Sequence, residues 1–214
     1  MAFLAAAAAK KQAAAAPAPG AGEEKASPAA AAEAAKKSIL GVLGGPKVQI
    51  PAADRRIMTD KESMAARYTN GSKDEQASIE WTDPDDLRHM TVTIRPKTGL
   101  WKGVAYHFDI EVPEEYPHKQ PDVKLREKVW HPNLDLQGNV CLSILRKDWK
   151  PVYTLEDVVI GLEFLMKNPD GDDPLNLEAG KEFRENTALF ESNVAKSIAG
   201  RTVNGHSFSR LSLD

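Results

Sequence analysis

Between Leu4 and Lys37 the chain carries no large apolar side chain, and after Pro51 its apolar positions change period three times. Over residues 51–68, Ile57, Met58, Met64 and Ala65 form a patchy apolar stripe among many charges, and Pro51 suits a first helical turn. That spacing predicts a helix. Arg55, Arg56, Lys61 and Arg67 fall on its solvated faces, and Arg55 and Arg56 are candidate partner contacts. Next the period drops to two. Met90, Val92 and Ile94 alternate with polar residues, and so do Val104, Tyr106, Phe108, Ile110 and Val112. Such alternation reads as half-buried antiparallel strands. Ser78–Trp81 and Asp122–Leu125 are shorter strand candidates. The connections between them are too short for parallel crossovers, so the four strands make a meander.

After Leu125 the alternation stops. Residues 126–153 contain Pro132, Gly138 and Pro151 and show no sustained period, and an irregular stretch of that length inside a domain is usually functional. Thr154 and Asp157 then resemble a capping box. Leu155, Val158, Val159, Leu162, Leu165 and Met166 follow at helical spacing until Asn168, Pro169 and Gly171. A last helical region over 176–199 places Phe183, Leu189, Phe190, Val194 and Ile198 inward and stops at Gly200. Helix, strand meander, irregular loop and helices in that order predict an α+β fold with the helices segregated from an antiparallel sheet.

Composition refines this picture mainly through its asymmetry. Residues 1–37 are about half alanine, and up to Lys47 six lysines face three glutamates, so a chain of net charge -3 divides into a weakly basic tail and an acidic body. An acidic body argues against nucleic acid as the main ligand, because phosphate binding needs clustered Lys and Arg. Such a tail cannot offset its chain entropy by burial and is expected to be disordered. The lysines follow the first apolar run, the reverse of a secretory signal, and the first Arg is Arg55, unlike a mitochondrial presequence. No run reaches the length of a membrane span. The glycines at Gly41, Gly44 and Gly45 form no phosphate loop. A single cysteine excludes a disulfide framework and a multi-cysteine zinc site, clustered histidines are missing too, and no metal is expected.

The lone Cys141 lies in the irregular stretch. From the residues alone it is either an accessible nucleophile or a small buried apolar residue. His131, ten positions upstream and followed by Pro132, reads as a structural histidine bonding the loop backbone. Asn133 carries a side-chain amide that could stabilise an oxyanion.

The run from Trp130 to Ile144 closely resembles the active-site signature of the ubiquitin-conjugating enzymes. It has aromatic-His-Pro-Asn-aliphatic, a Gly three residues before the Cys, then Cys-aliphatic-x-aliphatic; Trp149-x-Pro151 and Asp172-Asp173-Pro174-Leu175 sit where that family has them. The resemblance covers roughly residues 51–200. It implies that Cys141 accepts the C-terminus of a ubiquitin-like protein from an activating enzyme as a thioester, which a substrate lysine then attacks. It further implies that Asn133 steadies the loop and the oxyanion, that Asp173 orients or deprotonates the lysine, and that His131, Pro132 and Trp149 are structural. No cofactor is implied, since ATP is consumed by the activating enzyme.

Within the family, Thr82–Leu87, Tyr116-Pro117-His118 and Gly138–Val152 look like the branch that carries the cullin-modifying relative of ubiquitin. On that likeness the partners are the modifier, its heterodimeric activating enzyme, a RING ligase and a cullin substrate, met by a monomer in cytoplasm and nucleus. Tyr116, Pro117, His118, Lys150 and Pro151 are carried over as partner-facing positions. Residues 1–46 then read as an extension whose apolar tip, Phe3 and Leu4, docks in a groove of the activating enzyme, and 47–214 as the catalytic core. The alternatives are a carrier of ubiquitin itself and a non-catalytic binding relative.

Overall fold

In the structure, a computed structural model describing residues 49–68, 76–83 and 85–212, the four strands pair in chain order into one antiparallel sheet. They are β1 (Ala77–Trp81), β2 (His89–Ile94), β3 (Tyr106–Glu111) and β4 (Asp122–Leu125). The register sets Met90 opposite Ile110, Val92 opposite Phe108, Ile94 opposite Tyr106, and Phe108 opposite Leu125. All of these are buried, so the alternating apolar set seen in the sequence lies on one face of the sheet. A slip of one residue would turn the whole set outward, and burial therefore fixes the register. On the opposite face the Arg126 guanidinium bonds the Asp109 carboxylate and the Thr91 hydroxyl, which holds Asp109 below the usual carboxylate range.

Helix α1 (Ala52–Tyr68) buries Ala53, Ile57, Asp60, Met64 and Tyr68, which recur every three or four residues down one face. The sequence stripe was partly misplaced. Met58 is 41% exposed and Ala65 is also exposed. Their place is filled by Asp60, a charged residue 3% exposed, which a hydropathy pattern assigns to solvent. Its carboxylate accepts from Arg56 Nε at 2.9 Å, from the Leu155 backbone N–H at 3.3 Å and from the Tyr116 hydroxyl. A buried charge survives only with such partners. Here the partners join α1, the loop after β3 and the start of the next helix.

That helix, α2 (Leu155–Lys167), begins with the predicted capping box and buries all six residues picked from its spacing. The last predicted helical region is two helices, α3 (Leu177–Glu185) and α4 (Thr187–Ile198). Asn186 separates them: it closes α3, and its side chain accepts from the Leu189 N–H to cap α4. Leu189, predicted inward, is 42% exposed beside this cap, whereas Phe190 and Val194 are buried. The buried Glu182 carboxylate accepts from the Trp130 indole N–H at 2.9 Å, from Asn193 Nδ2 at 3.0 Å and from Asn204 Nδ2 at 2.8 Å. Through Asn204, the Lys128–Ser207 bond and Phe208 against Trp130, the segment after α4 is folded back onto the root of the irregular loop.

Candidate active site

The site is assembled by the irregular stretch between β4 and α2, and its foundation is His131. The imidazole is fully buried against Trp101, with ring centroids 4.3 Å apart. Nδ1 accepts from the Asn133 N–H at 2.9 Å, which leaves Nε2 to carry the proton and donate to the Leu165 carbonyl at 3.2 Å. Burial pulls its pKa from 6.5 down to about 3, so the ring is neutral and acts as a two-ended backbone clamp. His131 is thus structural, and it pairs with the loop and α2, not with the cysteine.

Asn133 extends the clamp. Its Nδ2 donates to the Asp170 carbonyl at 2.8 Å and its Oδ1 accepts from the Asp170 N–H at 2.8 Å. This pair fastens the corner to the loop that leads to Asp173. Pro132 contributes its carbonyl, which accepts from the Asn176 N–H at 2.9 Å just before α3. The Cys141 N–H then donates to the Asn133 carbonyl at 2.8 Å, so the nucleophile's backbone rests directly on the corner.

Between the two, the chain reverses at Gly138, where φ is 85°. A Cβ there would meet the Leu125 carbonyl oxygen at 2.1 Å, so only glycine lets this turn lie against β4. Asp135 closes the turn by accepting from the N–H groups of Gln137 and Asn139, both at 2.9 Å.

The Cys141 thiol is free and half-exposed. It opens onto a groove of about 790 Å³ lined also by Asn133, Arg146, Asp173 and the α2 residues Ile160 and Phe164. Phe164 is 62% exposed, so the groove has an uncovered apolar wall. Asp173 is exposed at the rim, and its backbone carbonyl lies 3.8 Å from Sγ. Arg146 reaches Sγ with Nη1 at 3.0 Å. The structure therefore sets Cys141, Asn133 and Asp173 around one groove. The arrangement suits acyl transfer: an accessible sulfur, a cation beside it, and an exposed acidic residue on the same groove. Among the described residues no group of three or more His, Cys, Asp or Glu is placed to hold a metal ion.

The partner-facing residues divide. Trp149 donates its indole N–H to the Pro117 carbonyl at 2.8 Å and packs between Tyr116 and Tyr153, which draws residues 116–118 and 149–151 together. Pro117 is half-buried there, while His118, Lys150 and Pro151 are exposed. Tyr116 is not available to a partner: its ring is buried and its hydroxyl donates to Asp60. Arg56 is likewise turned inward, with its guanidinium on the carbonyls of Pro151 and Tyr153 and on Asp60, whereas Arg55 is exposed. Phe3 and Leu4 lie outside the described residues.

Three residues of the site escaped the sequence reading. Asp170 acts through its backbone, for which no side-chain pattern exists. Gly161 lets the loop rest on α2, since a Cβ would meet Leu142 Cδ2 at 2.8 Å. Arg146, five positions after the cysteine, had only its charge to mark it.

Comparison with known proteins agrees with this geometry. The ubiquitin-conjugating enzyme family matches residues 56–198. The chain is similar to the NEDD8-conjugating enzyme ubc12 of Schizosaccharomyces pombe, 42% identical over 134 residues that cover 63% of this chain and 76% of the relative. It is similar to the NEDD8-conjugating enzyme UBC12 of Yarrowia lipolytica at 38% identity over 165 residues, covering 77% of this chain and 88% of the relative. Among solved structures, S. cerevisiae Ubc12 superposes with a TM-score of 0.69 at 28% identity, covering 85% of this chain and 96% of that one. With its cysteine, its asparagine clamp and its sheet-and-helix frame all inside the matched span, the chain belongs to the ubiquitin-conjugating enzyme family and is an enzyme of ubiquitin-like protein conjugation.

Proposed function

We propose that the chain accepts NEDD8, the modifier in its relatives' names, as a thioester on Cys141 and passes it to a substrate lysine, on a cullin with the help of a RING ligase. The observation that carries this reading is the half-exposed Cys141 sulfur at the open groove, with its backbone seated on the Asn133 corner and Asp173 at the rim. In the loading step the Cys141 thiolate attacks the thioester that joins the modifier to the activating enzyme, and the activating enzyme's thiolate leaves. In the discharge step the lysine amine attacks, an amide forms and the Cys141 thiolate departs. Neither step consumes ATP at this chain.

Partner choice is assigned to exposed residues. His118, Lys150 and Pro151 form the edge that a ligase would cover, and a polar His118 selects partners differently from an apolar residue. Phe3 and Leu4 are the docking tip for the activating enzyme, a second contact that raises avidity by about 10²–10⁴-fold where the geometry fits. Deleting residues 1–45 is expected to raise the concentration of this chain needed for loading.

Loading by the purified NEDD8 and ubiquitin activating systems, compared side by side on non-reducing gels, tests the reading. The expected adduct forms with NEDD8, disappears with reducing agent and is missing in Cys141→Ala. An adduct with ubiquitin alone makes the chain a ubiquitin carrier, and none with either makes it a binding relative.

A further inference from the structure

The acyl-transfer step builds negative charge on the thioester carbonyl oxygen and then on the departing sulfur, and something must donate hydrogen bonds to both. Asn133 is restricted in that duty. The residue is 2% exposed, and its amide oxygen and one amide hydrogen are held by the Asp170 backbone at 2.8 Å each. Arg146 is placed differently. Its backbone is anchored by the short 3₁₀ turn Ser143–Leu145, with its N–H on the Ser143 carbonyl at 3.1 Å. Its side chain is exposed, lines the same groove, and sets Nη1 3.0 Å from Cys141 Sγ. Among the described residues no carboxylate holds its guanidinium. Five N–H donors on a permanent cation thus stand one bond away from where the reacting carbonyl forms.

We infer that Arg146 is a catalytic residue of this chain: its guanidinium donates to the thioester's developing oxyanion and then to the leaving Cys141 sulfur. The inference rests on the thioester reading of Cys141. The lysine nitrogen forms a bond to the carbonyl carbon, and the C=O π pair moves to oxygen, where Arg146 meets it. Collapse re-forms C=O and breaks C–S, and the bonding pair leaves as thiolate beside the same guanidinium. The ammonium proton departs toward Asp173 or water. The groove thereby divides its charges, with a carboxylate for the cationic nucleophile and a guanidinium for the anionic intermediate.

Single-turnover discharge of the loaded full chain tests this. Loading of the wild-type chain is read first and answers the thioester question on its own. Wild type, Arg146→Gln, Arg146→Lys and Asp173→Ala are loaded to completion with excess activating enzyme. Each is then discharged, without ligase, to free lysine and to hydroxylamine, an amine already neutral at working pH. Arg146→Gln is expected to slow both nucleophiles by about 10²–10³-fold, the cost of losing one oxyanion donor, with Arg146→Lys in between. Asp173→Ala is expected to slow lysine far more than hydroxylamine, because only lysine must first give up an ammonium proton before it can attack. Discharge of Arg146→Gln within about twofold of wild type overturns the assignment, and so does a loss confined to lysine, since an oxyanion donor acts whatever the nucleophile.

Discussion

At the corner made by His131, Pro132 and Asn133 every side chain is buried and the polar groups are bonded to backbone, whereas Cys141, Arg146 and Asp173 all reach the groove. The two regions touch through one short bond, from the Cys141 N–H to the Asn133 carbonyl. Their contrast explains how an open groove can still hold an ordered site. An enzyme that receives an acyl group from one large protein and gives it to another cannot enclose its nucleophile. It can, however, hold the backbone behind the nucleophile rigid, and such a supporting shell is what keeps a reactive geometry within tolerance.

If that division holds, substitutions at the edge change rates without changing stability, and substitutions at the corner change both. The largest effect is expected at Cys141→Ala: no thioester on a non-reducing gel, with the melting temperature unchanged. A shifted melting temperature would move the cysteine into the frame.

Next comes Asn133→Ala. It releases the loop that carries Asp173, so discharge to lysine is expected to slow by about 10²-fold through misplacement while loading persists. The Asp170 N–H and carbonyl lose their partners, which costs roughly 1–3 kcal/mol in a denaturant titration. Slow discharge with unchanged stability would make Asn133 a direct participant at the edge.

His131 gives a pH signature. Its pKa is 6.5 when unfolded and about 3 when folded, so the unfolded chain binds the extra proton between those values. The stability contributed by the neutral ring is complete above pH 6.5 and drains away as the pH falls toward 3. At pH 4.5 the loss is roughly 2–3 kcal/mol, and urea unfolding of wild type and His131→Gln at pH 7.5 and 4.5 isolates it. An equal pH dependence in both proteins would show that the ring is not a buried neutral clamp.

The smallest effect is expected well away from the edge. Thr154→Ala removes a cap of α2 and is expected to cost about 1 kcal/mol, or about 2–4 °C in melting temperature, with discharge unaltered. A change in discharge rate would mean that the α2 start and the edge are coupled.

Legibility in the sequence followed the same physical lines. The α2 core was readable because six apolar residues repeat at helical spacing behind a local cap, and all six are buried. The meander was readable because one face of its sheet is dry and the other wet, which alternation records directly. Asp60 was not, since three partners from distant parts of the chain make its burial tolerable. The break at Asn186 was hidden because apolar spacing continues across it, although its side chain caps α4 in the way Asn commonly does. Tyr116 and Arg56 were expected at a partner surface and are held inside by that same Asp60.

What the sequence determined by itself is therefore whatever depends on residues close in the chain: the capping box of α2, strand alternation, and a signature long enough to identify the cysteine's family. What only the tertiary structure decided is which groups meet. The bonds from Asn133 to Asp170 span 37 positions, and the Asp60 bond to the start of α2 spans 95. Hydrogen bonds of that range have no period and no spacing rule. They exist because folding removes water from both partners at once, and each then satisfies the other.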